Sequence, residues 1–122
     1  MNITKDTTDA DLFYPITRTR KALAEMAASD MRDSEYLSNA VNSVARAEGV
    51  AEVNYLLRNA LAAGATVEEI ERTLLQCALR SADDTYSGRN NDARRSKRDG
   101  LVERVKELTQ FNGIARIVEA QA

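Results

Sequence analysis

The clearest helix signal in the sequence lies at residues 66–79, which read TVEEIERTLLQCAL. Thr66 and Glu69 have the spacing of a capping box, in which the two side chains satisfy backbone N–H groups at the start of a helix. The apolar stripe behind this box comprises Val67, Ile70, Leu74 and Cys77, and it is widened by Leu75, Ala78 and Leu79. A stripe this broad predicts a central helix buried on two sides. If it exceeds what one small bundle can cover, the chain forms a homodimer.

Glycines and the single proline divide the rest of the chain into further helices. Pro15 is suited to the first position of a helix, and Gly49 is suited to the position just after a last turn. Apolar spacing predicts helices over about residues 15–28, 34–48, 50–63, 66–84, 101–110 and 114–120. No stretch alternates in the manner of a strand. The sequence therefore predicts an all-α fold, a single small bundle of five or six helices with orthogonal or bundle-like packing.

The chain has 122 residues, which is the size of one domain. Residues 1–11 are polar and acidic, and they predict a flexible N-terminal tail. Residues 12–122 are predicted to form the single helical domain. Within it, residues 87–100 hold two glycines, two asparagines and two serines, and they predict a basic loop or a weak helix.

The amino-acid composition excludes several kinds of metal site and active site. The sequence has no histidine, which removes most metal sites and the commonest general base. Cys77, the one cysteine, falls on the apolar stripe and is expected to be an inert buried thiol. We expect no catalytic residues, no metal and no cofactor. A metal-dependent hydrolase of the all-helical type is the remaining enzymatic alternative, but Glu48 and Glu52, which have the spacing, straddle the predicted helix end at Gly49.

The amino-terminal residues lack the basic start and apolar stretch of a secretory signal, and no apolar run approaches the ~20 residues of a membrane span. A single cysteine agrees with a reducing compartment. We therefore expect a cytoplasmic protein without a membrane partner.

Residues 89–98 form a basic cluster with five cations against Asp92, although the chain as a whole carries a net charge of −2. The cations of the cluster are Arg89, Arg94, Arg95, Lys97 and Arg98. Three interpretations remain open. The arginines pair with nearby aspartates, they dock an acidic protein surface, or they bind nucleic acid, with Arg18, Arg20 and Lys21 extending the patch.

A second candidate surface is the run Leu12-Phe13-Tyr14 beside the predicted tail. These residues either staple the first helix or form an exposed apolar anchor, and we select Phe13 and Tyr14 as binding residues. Together with the basic cluster, they predict a non-enzymatic protein-binding module, a regulator, adaptor or inhibitor of another protein. The alternative is a nucleic-acid-binding protein that uses residues 89–98.

Overall fold

The computed structural model describes residues 2–28, 34–83 and 91–121. Every regular element in these ranges is helical, so the predicted all-α class is confirmed. The elements are α1 (Asp9–Ala28), α2 (Ser34–Ala62), α3 (Val67–Asp83), α4 (Asn91–Thr109), a 3₁₀ turn (Gln110–Asn112) and α5 (Gly113–Ala120). Helices α1, α3 and α4 pack on α2, while α5 packs on α3 and α4.

The prediction that Gly49 ends a helix is wrong. The two helices expected on either side of it are one helix, α2, of 29 residues. The described chain has four long helices, where five or six helices were predicted, and the eight-residue α5 follows them. A glycine lowers helix propensity without forbidding a helix, so tertiary packing decides what happens at that position.

Gly49 lies where α2 crosses α4. A Cβ at Gly49 would overlap the carbonyl oxygen of Lys97, and a Cβ at Gly100 would overlap the carbonyl oxygen of Arg46. Each helix thus contributes one glycine that receives the backbone of the other. This reciprocal contact, which we call the glycine crossing, brings the two backbones closer than ordinary side chains permit.

The segment 87–100, predicted as a basic loop or a weak helix, is helical from residue 91 onwards, and the glycine crossing holds this helix against α2. Residues 91–100 form the first half of α4, and residues 84–90 lie outside the described chain. From the sequence, Gly100 was expected to interrupt helical structure. It is instead a contact residue inside a helix that Leu101, Val105 and Leu108 anchor in the core.

The main core lies between α2, α3, α4 and α5. Its most deeply buried side chains include Val53, Leu57, Ile70, Leu74, Leu101, Val105 and Ile114. A smaller cluster of Ile16, Val44 and Ala51 joins α1 to α2.

The predicted capping box of α3 is present, since the Glu69 N–H donates to the Thr66 hydroxyl at 3.2 Å. The prediction that α3 is buried on two sides is wrong, because Leu75 and Leu79 are 53% and 63% exposed.

The amino-terminal segment is attached to the core, which the sequence did not predict. Residues 9–11 belong to α1, so Pro15 lies inside that helix and not at its first position. Ile3 is 4% exposed within the main core. The Arg58 guanidinium donates to the Thr7 carbonyl oxygen at 2.9 Å and pairs with Asp9 at 2.6 Å.

The glycine crossing predicts a large penalty for Gly49→Ala. Although alanine favours helix by about 1 kcal/mol, we expect the variant to lose about 3 kcal/mol of unfolding free energy, because its methyl group must separate α2 from α4. Urea denaturation measures the difference. Gly64→Ala is the control, since φ is 72° there and a Cβ would meet no atom within 4 Å, so only backbone strain is added. A Gly49→Ala variant as stable as the parent chain would contradict the crossing.

Burial of Ile3 predicts that Ile3→Ala lowers the unfolding free energy by about 2–4 kcal/mol, because it empties a filled core position. Lys5→Ala keeps the bond from the Lys5 N–H to Gln121 Oε1 and removes an exposed side chain. This control should remain within about 0.5 kcal/mol of the parent chain. If both substitutions change the unfolding free energy negligibly, the amino-terminal segment is a flexible tail and Ile3 does not contribute to the core.

Candidate functional site

A cleft of about 410 Å³ opens between α1, α2 and the first half of α4. We call it the aromatic cleft. Its lining consists of Phe13, Ile16, Thr17 and Arg20 from α1, Glu48, Glu52 and Tyr55 from α2, and Lys97 from α4. Apolar surface therefore meets charges of both signs in one depression, the combination that suits recognition of another molecule.

The aromatic part of the cleft rests on Tyr55. The rings of Phe13 and Tyr55 lie 6.0 Å apart between centroids, at an interplanar angle of 39°. The Arg58 guanidinium carbon lies 5.2 Å from the Tyr55 ring centroid, within range of a cation–π contact. Phe13 keeps 38% of its surface exposed and the neighbouring Tyr14 60%, whereas Leu12 is in the core. The run Leu12-Phe13-Tyr14 thus combines a buried staple with two exposed aromatic residues.

Two ion pairs border the cleft. Arg20 contacts Glu48 at 2.8 Å, and Lys97 contacts Glu52 at 3.8 Å. The sequence interpretation missed this arrangement because it separated Glu48 from Glu52 by a helix end. On the continuous α2 the two carboxylates are four residues apart and share one face. The spacing of positions 48, 52 and 55 was the available signal.

The carboxylates do not form a metal centre in the described part of the chain, where no three acidic or cysteine side chains come close enough to hold an ion. Glu48 and Glu52 each face a cation instead. The described geometry of the cleft therefore supplies apolar contact and charge recognition.

The basic cluster divides into different environments. Lys97 pairs with Glu52 across the cleft, and Arg98 contacts Asp99 at 3.3 Å. Arg94 and Arg95 are exposed, and neither pairs with any residue in ranges 2–28, 34–83 or 91–121. Arg89 lies outside the described residues. Arg94 and Arg95 therefore give the start of α4 two positive charges that no ion pair among the described residues neutralises.

Cys77 is 7% exposed and belongs to the main core, so its predicted burial is confirmed. Burial raises the pKa of the thiol, the nearby negative charge of Glu52 raises that pKa further, and Arg80 opposes the change. Because the thiolate is the reactive form, the described environment suppresses reactivity.

Compared with known protein families, with curated proteins and with solved structures, the chain gives no match. Among the described helices, none combines the length and the hydropathy that a membrane span requires.

The raised pKa of Cys77 predicts slow alkylation by iodoacetamide in the folded protein. At about pH 8 we expect the folded chain to react at least about tenfold more slowly than the chain unfolded in urea. The folded state favours the neutral thiol, so its stabilising contribution is present below the unfolded pKa of about 8.5 and is lost as pH rises through the higher folded value. The alkaline loss of unfolding free energy should be smaller in Cys77→Ala. Equal alkylation rates in both states would contradict this assignment.

Proposed function

We propose that this chain is a non-enzymatic protein-binding module, a regulator, adaptor or inhibitor, that docks the acidic surface of another protein. The observation that carries the proposal is the surplus charge of Arg94 and Arg95. Both are exposed at the start of α4 without an ion pair in the described part of the chain. They lie near the positive end of the helix dipole, where a cation is unfavourable by about 0.3–1 kcal/mol. Within the described residues these side chains therefore form no ion pair that would stabilise α4, which supports a role in attracting a partner.

The apolar anchor adjoins this surface. Phe13 lines the same cleft as Lys97, which lies about one turn after Arg94 on α4, so a partner that extends from Arg94 to Lys97 can also contact Phe13. Tyr14 extends the apolar area on α1. Aromatic side chains next to cations are the composition that interface hot spots favour.

The aromatic cleft also favours an acidic protein over a nucleic acid as the partner. Glu48 and Glu52 lie beside Lys97 and would repel a phosphate backbone that follows the cleft. A protein surface can place its carboxylates on Arg94 and Arg95 and its apolar groups against Phe13. Engagement of both cleft carboxylates by cations likewise supports binding over catalysis.

Self-association and a cytoplasmic location are further parts of the proposal. Leu75 and Leu79 lie one turn apart on the exposed side of α3, and this apolar strip supports a homodimer. The lone Cys77 supports a reducing compartment.

The double variant Arg94→Gln/Arg95→Gln tests the docking surface. We expect capture of protein partners from lysate of the source cells to fall at least about tenfold, while the unfolding free energy stays equal or rises by about 0.3–1 kcal/mol because unfavourable cations leave the helix start. Affinity capture with mass spectrometry and urea denaturation measure the two effects.

The matched control is Arg72→Gln/Arg116→Gln, which removes two other exposed arginines and changes the net charge equally. It should keep the captured proteins. Direct titration with duplex DNA and single-stranded RNA distinguishes the alternative, since tight, steeply salt-dependent binding there would replace an acidic protein by nucleic acid. A marked loss of stability in the Arg94/Arg95 variant would instead show that these arginines are structural.

A further inference from the structure

The chain before α1, residues 2–8, lies against the helices, and we call it the amino-terminal strap. The buried Ile3 side chain fixes the strap to the main core. The Lys5 N–H donates to Gln121 Oε1 at 2.9 Å, which ties the strap to the residue after α5. Because one apolar side chain and a small number of hydrogen bonds hold the strap, its opening requires less free energy than global unfolding.

Arg58 of α2 joins the strap to the wall of the aromatic cleft. Its side chain is 14% exposed, and each guanidinium nitrogen donates to a different acceptor. Nε donates to Asn59 Oδ1 at 2.8 Å, Nη1 to the Thr7 carbonyl oxygen at 2.9 Å and Nη2 to Asp9 Oδ1 at 2.6 Å. The same group lies over the Tyr55 ring. The three bonds fix the plane of the guanidinium, so the position of the strap contributes to the position of the cation on Tyr55.

The contacts continue from Tyr55 into the cleft. The Tyr55 ring contacts the Phe13 ring, and both line the cleft with more than a third of their surface exposed. Ile3 and Thr7 are described residues that do not line the cleft. A continuous series of contacts, from the Thr7 carbonyl oxygen through Arg58 to the two rings, therefore connects the strap with a surface that it does not itself touch.

We infer that Arg58 couples the docking of the amino-terminal strap to the geometry of the aromatic cleft. The docked strap holds the guanidinium against Tyr55 and thereby keeps the Tyr55 and Phe13 rings in place. When Ile3 leaves the core and the strap opens, Arg58 loses the Thr7 acceptor, and Tyr55 loses a fixed neighbour. Such coupling is reciprocal, so a molecule that binds the docked form of the cleft also slows the opening of the strap.

This inference rests on the proposed function and adds a means of regulation to it. A partner that contacts Phe13 meets a preorganised surface while the strap is docked, and it has to order that surface when the strap is open. Removal or capture of residues 2–8 therefore weakens binding at the cleft without changing any residue that contacts the partner. The experiments below use the chain alone, so they do not depend on the partner.

Hydrogen exchange and NMR of the full chain measure the two ends of the coupling. The amide hydrogens of Lys5 and Thr7 report strap opening, since each is bonded when the strap is docked. We expect Tyr55→Leu to speed their exchange by about fivefold or more. We also expect Ile3→Ala to shift the Tyr55 ring signals. Exchange of the Leu74 amide in α3 reports global unfolding and separates local opening from a general loss of stability.

Arg58→Lys tests whether Arg58 carries the coupling, because lysine keeps the charge but cannot bond three acceptors in one plane. In this background we expect Tyr55→Leu to change strap exchange by less than about twofold, and Ile3→Ala to leave the Tyr55 ring signals in place. Arg20→Lys is the matched control. Arg20 lines the cleft but bonds Glu48 of α2, so strap exchange should stay within about twofold of the parent chain.

The single variants Tyr55→Leu and Ile3→Ala decide the inference even if Arg58→Lys does not fold. Unchanged strap exchange in Tyr55→Leu, or unchanged Tyr55 ring signals in Ile3→Ala, overturns the coupling, since reciprocity requires both effects. Full coupling in a folded Arg58→Lys chain overturns the role of Arg58. None of these results bears on capture through Arg94 and Arg95, whose loss or persistence tests the proposed function separately.

Discussion

Helices α2 and α4 cross with backbone against backbone, because Gly49 and Gly100 each lack the side chain that would hold the helices apart. Packed helices are ordinarily separated by about 8–10 Å of interleaved side chains. A reciprocal glycine contact removes that layer at one point and sets both the position and the rotation of α4 on α2. Leu101 and Val105 then enter the core, and Arg94 and Arg95 remain outside it.

The close crossing on one side of α2 and the packing of α1 on another leave two strips of α2 only partly covered. Positions 48, 52 and 55 lie along one strip, and positions 46, 50 and 54 lie along the other, with the spacing expected of one helical face each. The aromatic cleft follows the first strip, and a second depression, lined by Pro15, Val50 and Asn54 among others, follows the other strip, each with walls from α1 and α4. Both depressions thus follow from the way in which three helices pack around one axis.

Local signals in the sequence were sufficient for the helical class and for α3, where the Thr66 cap marks the start of the helix and the spacing of Ile70, Leu74 and Cys77 marks its buried face. They failed at Gly49 and Gly100. A glycine that ends a helix and a glycine that receives a neighbouring backbone have the same sequence signature, and the distinction lies in a partner some fifty residues away. The two incorrect expectations, a loop up to Gly100 and a division of α2 at Gly49, both came from that ambiguity.

The candidate sites show the same limit. Phe13, Tyr14, Arg94 and Arg95 could be selected from the sequence, because a run of large apolar residues and a cluster of unbalanced charge are visible there. Asn54 could not, since its significance depends on Arg104 occupying its oxygen and on Pro15 forming the opposite wall. A buried amide with one satisfied end is costly unless solvent or a ligand serves the other end. Asn54 has its oxygen bonded to Arg104 and its nitrogen in contact with solvent, so the amide adds no enclosed unsatisfied atom to the described part of the chain.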